Sequence, residues 1–322
     1  MNKRLFGFFF SLGILLQAQP YEKHFLSFIT QNDAYVDSMI DRYYTAGHSL
    51  TYASKEGDYG WLNTFGFISG ETSFSLQLSQ SIYAPKNKFD LYPPLDDHPY
   101  AGFLSFIFGI HHRQENMLEG LGIRIGIAGK MAMGKQAQDA IHTALDVGLL
   151  SGWMTQIQNE WIVNLYYEWS YKHFLYQSTY FDIEVSPTIE LAFGNANIYG
   201  KLTTFLRLGY NLKTTFLPQG VIGENGGLQN GRVYGDGIGF FGFFGLGGSY
   251  VARKMAIEGN LFSHDPYPRN AILNHWVGHM IGGISFVSGN LSLSYMAVCT
   301  TREFRQQENL HAIGSIWLAY SF

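Results

Sequence analysis

Charge is scarce in this chain. Asp, Glu, Lys and Arg make up 14% of its 322 residues, against about 25% in ordinary soluble domains. A soluble all-β protein would usually carry more. Cysteine is scarcer still. Cys299 stands alone, which excludes an internal disulfide and any multi-cysteine metal site. Packing, either buried or lipid-facing, is the role left to it. Beyond the first segment no apolar run approaches the ~20 residues that a spanning helix needs, so a helical membrane protein is excluded. The formal net charge of −4 carries no basic signature, and nucleic acid drops out as a partner. HExxH, P-loop and GxSxG motifs are absent.

What is present points to the outer membrane of a bacterium. Lys3 and Arg4 precede an apolar run from Leu5 to Leu16, and Gln17-Ala18 offers a small residue at a cleavage point. Residues 1–18 therefore read as a secretory signal, with an uncleaved anchor as the alternative. The remainder, 19–322, is expected to form one domain. Aromatics are 16% of the chain and glycines number 37, the composition of a transmembrane barrel with aromatic girdles and little charge on its lipid face.

Hydropathy alternates with period two. From Tyr180 to Leu191 the odd positions are Phe181, Ile183, Val185, Pro187, Ile189 and Leu191, and the even positions include Asp182, Glu184 and Glu190. Leu121 to Ala128, Leu202 to Tyr210 and Leu291 to Ala297 repeat the habit. About a dozen such segments occur, each close to the ~10 residues of a tilted membrane strand. The last places Leu310, Ala312, Gly314, Ile316, Leu318, Tyr320 and Phe322 on one face. A transmembrane antiparallel β-barrel of about 12 strands follows; a soluble β-sandwich is the alternative. An even-stranded barrel closes without an open edge, so every backbone group is satisfied in lipid.

Some segments break the alternation. Lys86 to Pro99 and Gly220 to Gly237 read as loops, and His264 to Pro268 as a turn. Lys130 to Val147 instead has helical spacing, with Ala137, Ala140, Ile141, Ala144 and Leu145 apolar. A helix inserted in a barrel suggests a lid or plug with a function. Its Gln138, His142 and Asp146 recur every four residues and share a face. A histidine there suits proton transfer near neutral pH; a polar surface histidine is the other reading.

A second cluster lies at the end of the first strand, where Gln31-Asn32-Asp33 is followed by Asp41-Arg42-Tyr43-Tyr44-Thr45-Ala46-Gly47. Polar groups beside a membrane wall are costly unless they face a cavity or a partner. A polar barrel lumen or a metal-assisted active site would each explain them. Asn32 and Asp33 offer the hard oxygens that Ca²⁺ takes. His111-His112, and His275 with His279, are read as wall or loop residues.

The combination resembles the outer-membrane lipid A 3'-O-deacylases. Asn32-Asp33 with Asp41 to Gly47 is similar to their opening motif. Gln80-Ser81-Ile82-Tyr83-Ala84-Pro85 resembles a Q-x-I-Y-[ST]-P strand end. Asp96-Asp97-His98-Pro99-Tyr100-Ala101-Gly102 resembles a D-R-P-Y-A-G turn, with His98 where arginine is commoner. Gln138 and His142, then Gly152-Trp153, Gln156 and Asn159-Glu160, resemble a helix followed by a W-x-x-Q block. The matches span residues 25 to 160. The resemblance implies a twelve-stranded barrel whose active site lies near the outer-leaflet end. It implies Ca²⁺-dependent hydrolysis of the ester holding the 3'-linked acyl chains of lipid A. It makes His142 the catalytic base, with Asn32 and Thr45 catalytic and Asp33 the metal ligand. Lys86, Lys88 and Gln138 become substrate-binding residues. Two departures stand out. An acid expected six places after the histidine is Gly148, for which Asp146 is a candidate replacement, and the basic loop residues align poorly with Lys86 and Lys88. Lipid A or lipopolysaccharide and the outer-membrane lipids are the expected partners of a monomer. An outer-membrane phospholipase and a passive porin-like barrel are the alternatives.

Overall fold

The computed structural model describes residues 20–36, 42–144, 146, 148–216, 237–267 and 269–322. The expected signal segment 1–18, Asp41, Leu145, Val147, Pro268 and all of the expected 220–237 loop but Gly237 lie outside the described residues.

Period-two alternation is realised as antiparallel strands. In chain order they are β1 (Phe25–Asn32), β2 (Tyr43–Ala53), β3 (Glu71–Ala84), β4 (Ala101–Arg113), β5 (Met117–Ala128), β6 (Glu160–Tyr171), β7 (His173–Gln177), β8 (Asp182–Gly194), β9 (Asn197–Tyr210), β10 (Ile238–Lys254), β11 (Trp276–Ser288), β12 (Leu291–Thr300) and β13 (His311–Ser321). Except for β6 and β7, each pairs with its chain neighbour, and β1 pairs with β13, Phe25 facing Ser321. The circle closes through β6 and β8, from Asn164 facing Gly194 to Ser170 facing Thr188. The short β7 continues the same pairing, His173 facing Val185. Strands β6 and β7 are thus one wall strand interrupted at Lys172, and the wall is a closed barrel of twelve. Among the described residues two α-helices accompany it, α1 (Gly134–Ala144) and α2 (Met255–Glu258). No helix among the described residues is long and apolar enough to cross a membrane.

The two faces of the wall differ in kind. Outward-facing Leu26, Phe28, Leu50, Leu78, Phe106, Ile125, Trp161, Leu191 and Leu318 are exposed, whereas inward-facing Ser27, Gln31, Ser75, Gln77, Ser105, Asn164 and Thr188 are buried. That is the inverse of a soluble barrel and the pattern of a wall bathed in lipid. Cys299 is half-buried on the outward row, so it is lipid-facing packing. Inside, Arg207 Nη1 donates to Glu184 Oε1 at 2.9 Å and Oε2 at 3.1 Å, and both side chains are sealed from solvent. Arg207 also lies 4.4 Å from the Phe241 ring. Lys172 Nζ donates to the carbonyls of Lys213 and Thr215, at 3.0 and 3.3 Å. Arg113 bonds Glu56, whose Oε2 also accepts the Tyr21 amide at 2.7 Å. Side chains therefore fill the lumen, which is unlike a wide water-filled channel.

At one end of the barrel gather the connections 33–42, 85–100, 129–159, 255–275 and 301–310. At the other lie 54–70, the start of the β9–β10 connection at 211–216, and the tight turns 114–116, 178–181 and 289–290. In outer-membrane barrels the longer connections face outward and the short turns face the periplasm. The terms loop end and turn end are used below.

Candidate active site

A strip of small side chains crosses the outward face at the loop end. Asn32 faces Gly314 on one side and Ala46 on the other; Ala46 faces Ile82, and Ile82 faces Gly102. The strip makes a shelf on the lipid side of the wall. A side-chain carbon on Gly314 would come within 2.6 Å of Tyr35 Cβ, because the turn Asp33–Tyr35 folds over that glycine. At the other end of the shelf a Cβ on Gly134 would lie 2.9 Å from Gly102 Cα. Only glycine at both positions lets α1 approach the wall this closely.

Helix α1 therefore lies against the outside of the barrel. Gln80, on the outward row between Leu78 and Ile82, donates to the Ala132 carbonyl at 2.8 Å. Ala137 packs on Ala46, Ile82, Ala84, Tyr100, Leu150 and Trp153. The expected lid or plug is instead a clamp on the lipid-facing wall. The helix ends at Ala144, so Asp146 falls beyond it, exposed and in a left-handed turn with φ of 56°. Gln138 and His142 share the buried face as expected; Asp146 does not join them.

Two hydrogen bonds fix that face. Trp153 Nε1 donates to Gln138 Oε1 at 2.7 Å, with the indole buried and 4.9 Å from the Tyr100 ring. Gln138 is thus a strut for the site as well as a side chain near it. His142 Nδ1 lies 2.8 Å from the Gly148 carbonyl. A carbonyl only accepts, so Nδ1 carries the proton, and in the neutral ring Nε2 keeps the lone pair. The backbone of Gly148 thus fixes the tautomer and orientation of the imidazole, at the position where an acid was expected.

Thr45 sits at a bulge, where pairing of β2 with β3 steps from Tyr44–Tyr83 to Ala46–Ile82. A bulge re-aims the side chain of its extra residue. Thr45 Oγ1 is buried and donates to the Ile82 carbonyl at 3.3 Å. Asn32 caps the following turn, its Oδ1 accepting the Ala34 amide at 2.8 Å. Asp33 is 1% exposed and closes the 33–42 connection, with Oδ2 accepting the Arg42 amide at 2.8 Å and Oδ1 that of Ala34 at 2.9 Å. The donor set near Asp33 is hard oxygen, which fits Ca²⁺ in kind. Among the described residues no three His, Cys, Asp or Glu side chains cluster as ligands. Backbone carbonyls, water or substrate would complete the shell.

The remaining expected residues divide. Lys86 pairs with Glu308 across the loop end, and its amide donates to Asp97 Oδ2 at 2.8 Å. Lys88 Nζ lies 5.4 Å from the Phe89 ring, and its carbonyl accepts the Tyr100 hydroxyl. His98 belongs to the lumen mouth. It stacks on Tyr83 with centroids 5.1 Å apart and near Phe304. Burial holds its imidazolium down to about 3. His111 and His112 bond Ser75 and Thr72, and His279 bonds Thr203, as wall residues; His275 precedes β11 and bonds the Val251 carbonyl. The W-x-x-Q block ends in two loop anchors. Asn159 Oδ1 accepts the Met131 amide at 2.8 Å, and Glu160 accepts the amides of Leu261, Phe262 and Ser263. Sequence reasoning missed the Gly102–Gly134 contact and the Gly148 carbonyl. Glycines at a strand start and a helix start were the available signal for the first, and nothing in residue type marks the second.

A family model described as "Outer membrane protein LpxR" matches residues 5–322. Among solved structures, LpxR from Salmonella typhimurium is similar at a TM-score of 0.76 and 19% identity, covering 92% of this chain and 100% of that one. The β domain of the Bordetella autotransporter BrkA is more distant, at a TM-score of 0.46 and 9% identity over 94% of this chain and 100% of its own. No curated protein sequence matches.

Proposed function

The chain belongs to the LpxR family of outer-membrane proteins, and from that premise we propose that it is a lipid A 3'-O-deacylase, a carboxylic ester hydrolase. The observation that carries this reading is the setting of His142. A buried imidazole on the lipid side of the wall gives its Nδ1 proton to a backbone carbonyl, so Nε2 is the basic nitrogen. The substrate class follows from place. An amphiphile whose acyl chains lie along the wall brings its ester bonds to the depth of the shelf.

In this mechanism His142 Nε2 takes a proton from water, and the resulting hydroxide attacks the ester carbonyl. As the C–O bond breaks, the same imidazolium gives the proton to the departing sugar oxygen, which leaves as a hydroxyl. No serine nucleophile takes part, so no acyl-enzyme accumulates. Asn32 and Thr45 orient the reacting group from the shelf, and Trp153 holds α1 in place through Gln138. A calcium ion held in part by Asp33 would supply Lewis-acid stabilisation of developing negative charge. Lys86 and Lys88 flank the site and offer ammonium groups to the phosphates of the substrate, Lys86 after leaving Glu308.

The test is the lipid A mass profile of cells with and without the protein, repeated with His142→Ala and after Ca²⁺ chelation. Loss of the 3'-linked acyl chains only in cells with the intact protein is expected, with chelation blocking it. Unchanged lipid A with altered phospholipids would transfer the ester chemistry to a phospholipase.

A further inference from the structure

Farther along β4, toward the turn end, a second outward-facing feature is built with comparable care. The turn-end connection between β2 and β3 does not cap the lumen. It folds up along the outside of the barrel, with a 3-10 turn at Gly60–Thr64. It is fastened by Glu119, which is on the outward row of β5 yet fully buried. Its carboxylate accepts the amides of Phe67 and Ile68, at 2.9 and 3.2 Å to Oε2, and its Oε1 accepts the Tyr167 hydroxyl at 2.9 Å. Gly66, at φ of 102°, lies over that carboxylate, and a Cβ there would meet Oε2 at 2.4 Å. A buried carboxylate on a lipid-facing wall is costly unless its oxygens are satisfied. Here the strap satisfies them.

The strap turns its apolar groups outward. Trp61 is 69% exposed and Phe67 84%. Between it and strands β4, β5, β6 and β8 runs a crevice of about 680 Å³, lined by Trp61, Phe65 and Phe67 on one side and Leu165, Leu191 and Phe193 on the other. Its size falls within the ~300–1,000 Å³ of small-molecule sites, but it lacks the polar groups with which such sites orient a polar ligand. The crevice opens directly onto the exposed apolar belt of the barrel. We propose that it is a binding site for an acyl chain of one phospholipid from the leaflet at the turn end, held by the strap as a resident lipid. The occupant follows from continuity with the lipid-facing belt, from a lining that is apolar but for Tyr166 and Tyr167, and from the strap's origin at the turn end, away from α1.

The proposal is tested on the whole protein reconstituted in vesicles of phosphatidylethanolamine and phosphatidylglycerol, with lipopolysaccharide in a second preparation. Each is transferred to mild detergent and examined by native mass spectrometry. One retained phospholipid per chain is expected from both preparations. Leu165→Trp fills the crevice and Phe67→Ala removes its outer side, and each should lose the retained lipid. Leu78→Trp, on the same belt but outside the crevice, should keep it. Heat-modifiable migration on gels identifies folded barrel in every sample. No retained phospholipid in the intact protein, retained lipopolysaccharide in its place, or equal retention by folded Leu165→Trp and Phe67→Ala would overturn the proposal. None of these readouts depends on deacylation.

Discussion

Glu184 and His142 lie on opposite sides of the barrel wall, and both are buried. Glu184 faces the lumen, where both its oxygens are taken by Arg207, which also bonds Thr215. His142 lies on the buried face of α1 on the lipid side, where its Nδ1 donates to the Gly148 carbonyl. In the lumen, burial brings a desolvation cost that geometry must offset, and the bonds from Arg207 to both carboxylate oxygens offset it. On the outer wall, a backbone carbonyl orients the imidazole. Lumen polarity holds the barrel together; outer-wall polarity is where the proposed chemistry takes place.

The sharpest way to separate the two roles is to remove one group from each side. His142→Ala should lower deacylation by ~10²–10⁴-fold, the range for a general base, with the urea midpoint of the refolded barrel unchanged. Glu184→Ala should do the reverse. Leaving Arg207 buried without its carboxylate costs about 3–5 kcal/mol, read as a lower urea midpoint, while activity per folded molecule is retained. Equal loss of activity in both variants would erase the distinction.

A smaller perturbation moves the outer-wall site as a body. Gly134→Leu forces α1 off Gly102, an overpacking cost of ~1–3 kcal/mol that falls on the clamp alone. Activity should fall while Trp153 fluorescence shifts red, and the barrel should still close. The lumen mouth gives a pH test. Folded His98 takes its proton only near 3, against an ordinary value of 6.5, because burial disfavours the charged ring. The unfolded chain therefore binds more protons between those values. The His98 contribution is complete above pH 6.5 and is lost as pH falls toward 3. His98→Gln should flatten that part of the stability profile. Least of all, Lys86→Ala breaks an exposed pair with Glu308, so stability should not move measurably; a rise in KM at constant kcat would mark Lys86 as a substrate contact.

The barrel was legible because one rule, period two, runs through every strand. Phe181 and Leu191 against Asp182 and Glu184 already separate lipid from lumen. The inserted helix was legible for the same reason, since its period changes. What alternation does not reveal is the side of the wall on which a loop comes to rest. His98 looked like part of the site motif, yet Asp97 and Pro99 turn it into the lumen mouth. Asp146 looked aligned with His142, but the helix stops two residues short of it. The Gly148 carbonyl was illegible in principle, since every residue has one and only the path of the chain makes it a partner. The strap over Glu119 was hidden in the same way, because an acid on an outward row reads as an anomaly until its covering segment is seen.

The placement of α1 on the outside of the wall has a kinetic consequence. A substrate for this shelf arrives by lateral diffusion within the sheet of lipid, not from solution. The concentration that the shelf senses is then a mole fraction in two dimensions. Turnover should saturate with the surface density of lipid A. It should fall when inert detergent is added at constant total substrate, because dilution happens within the micelle.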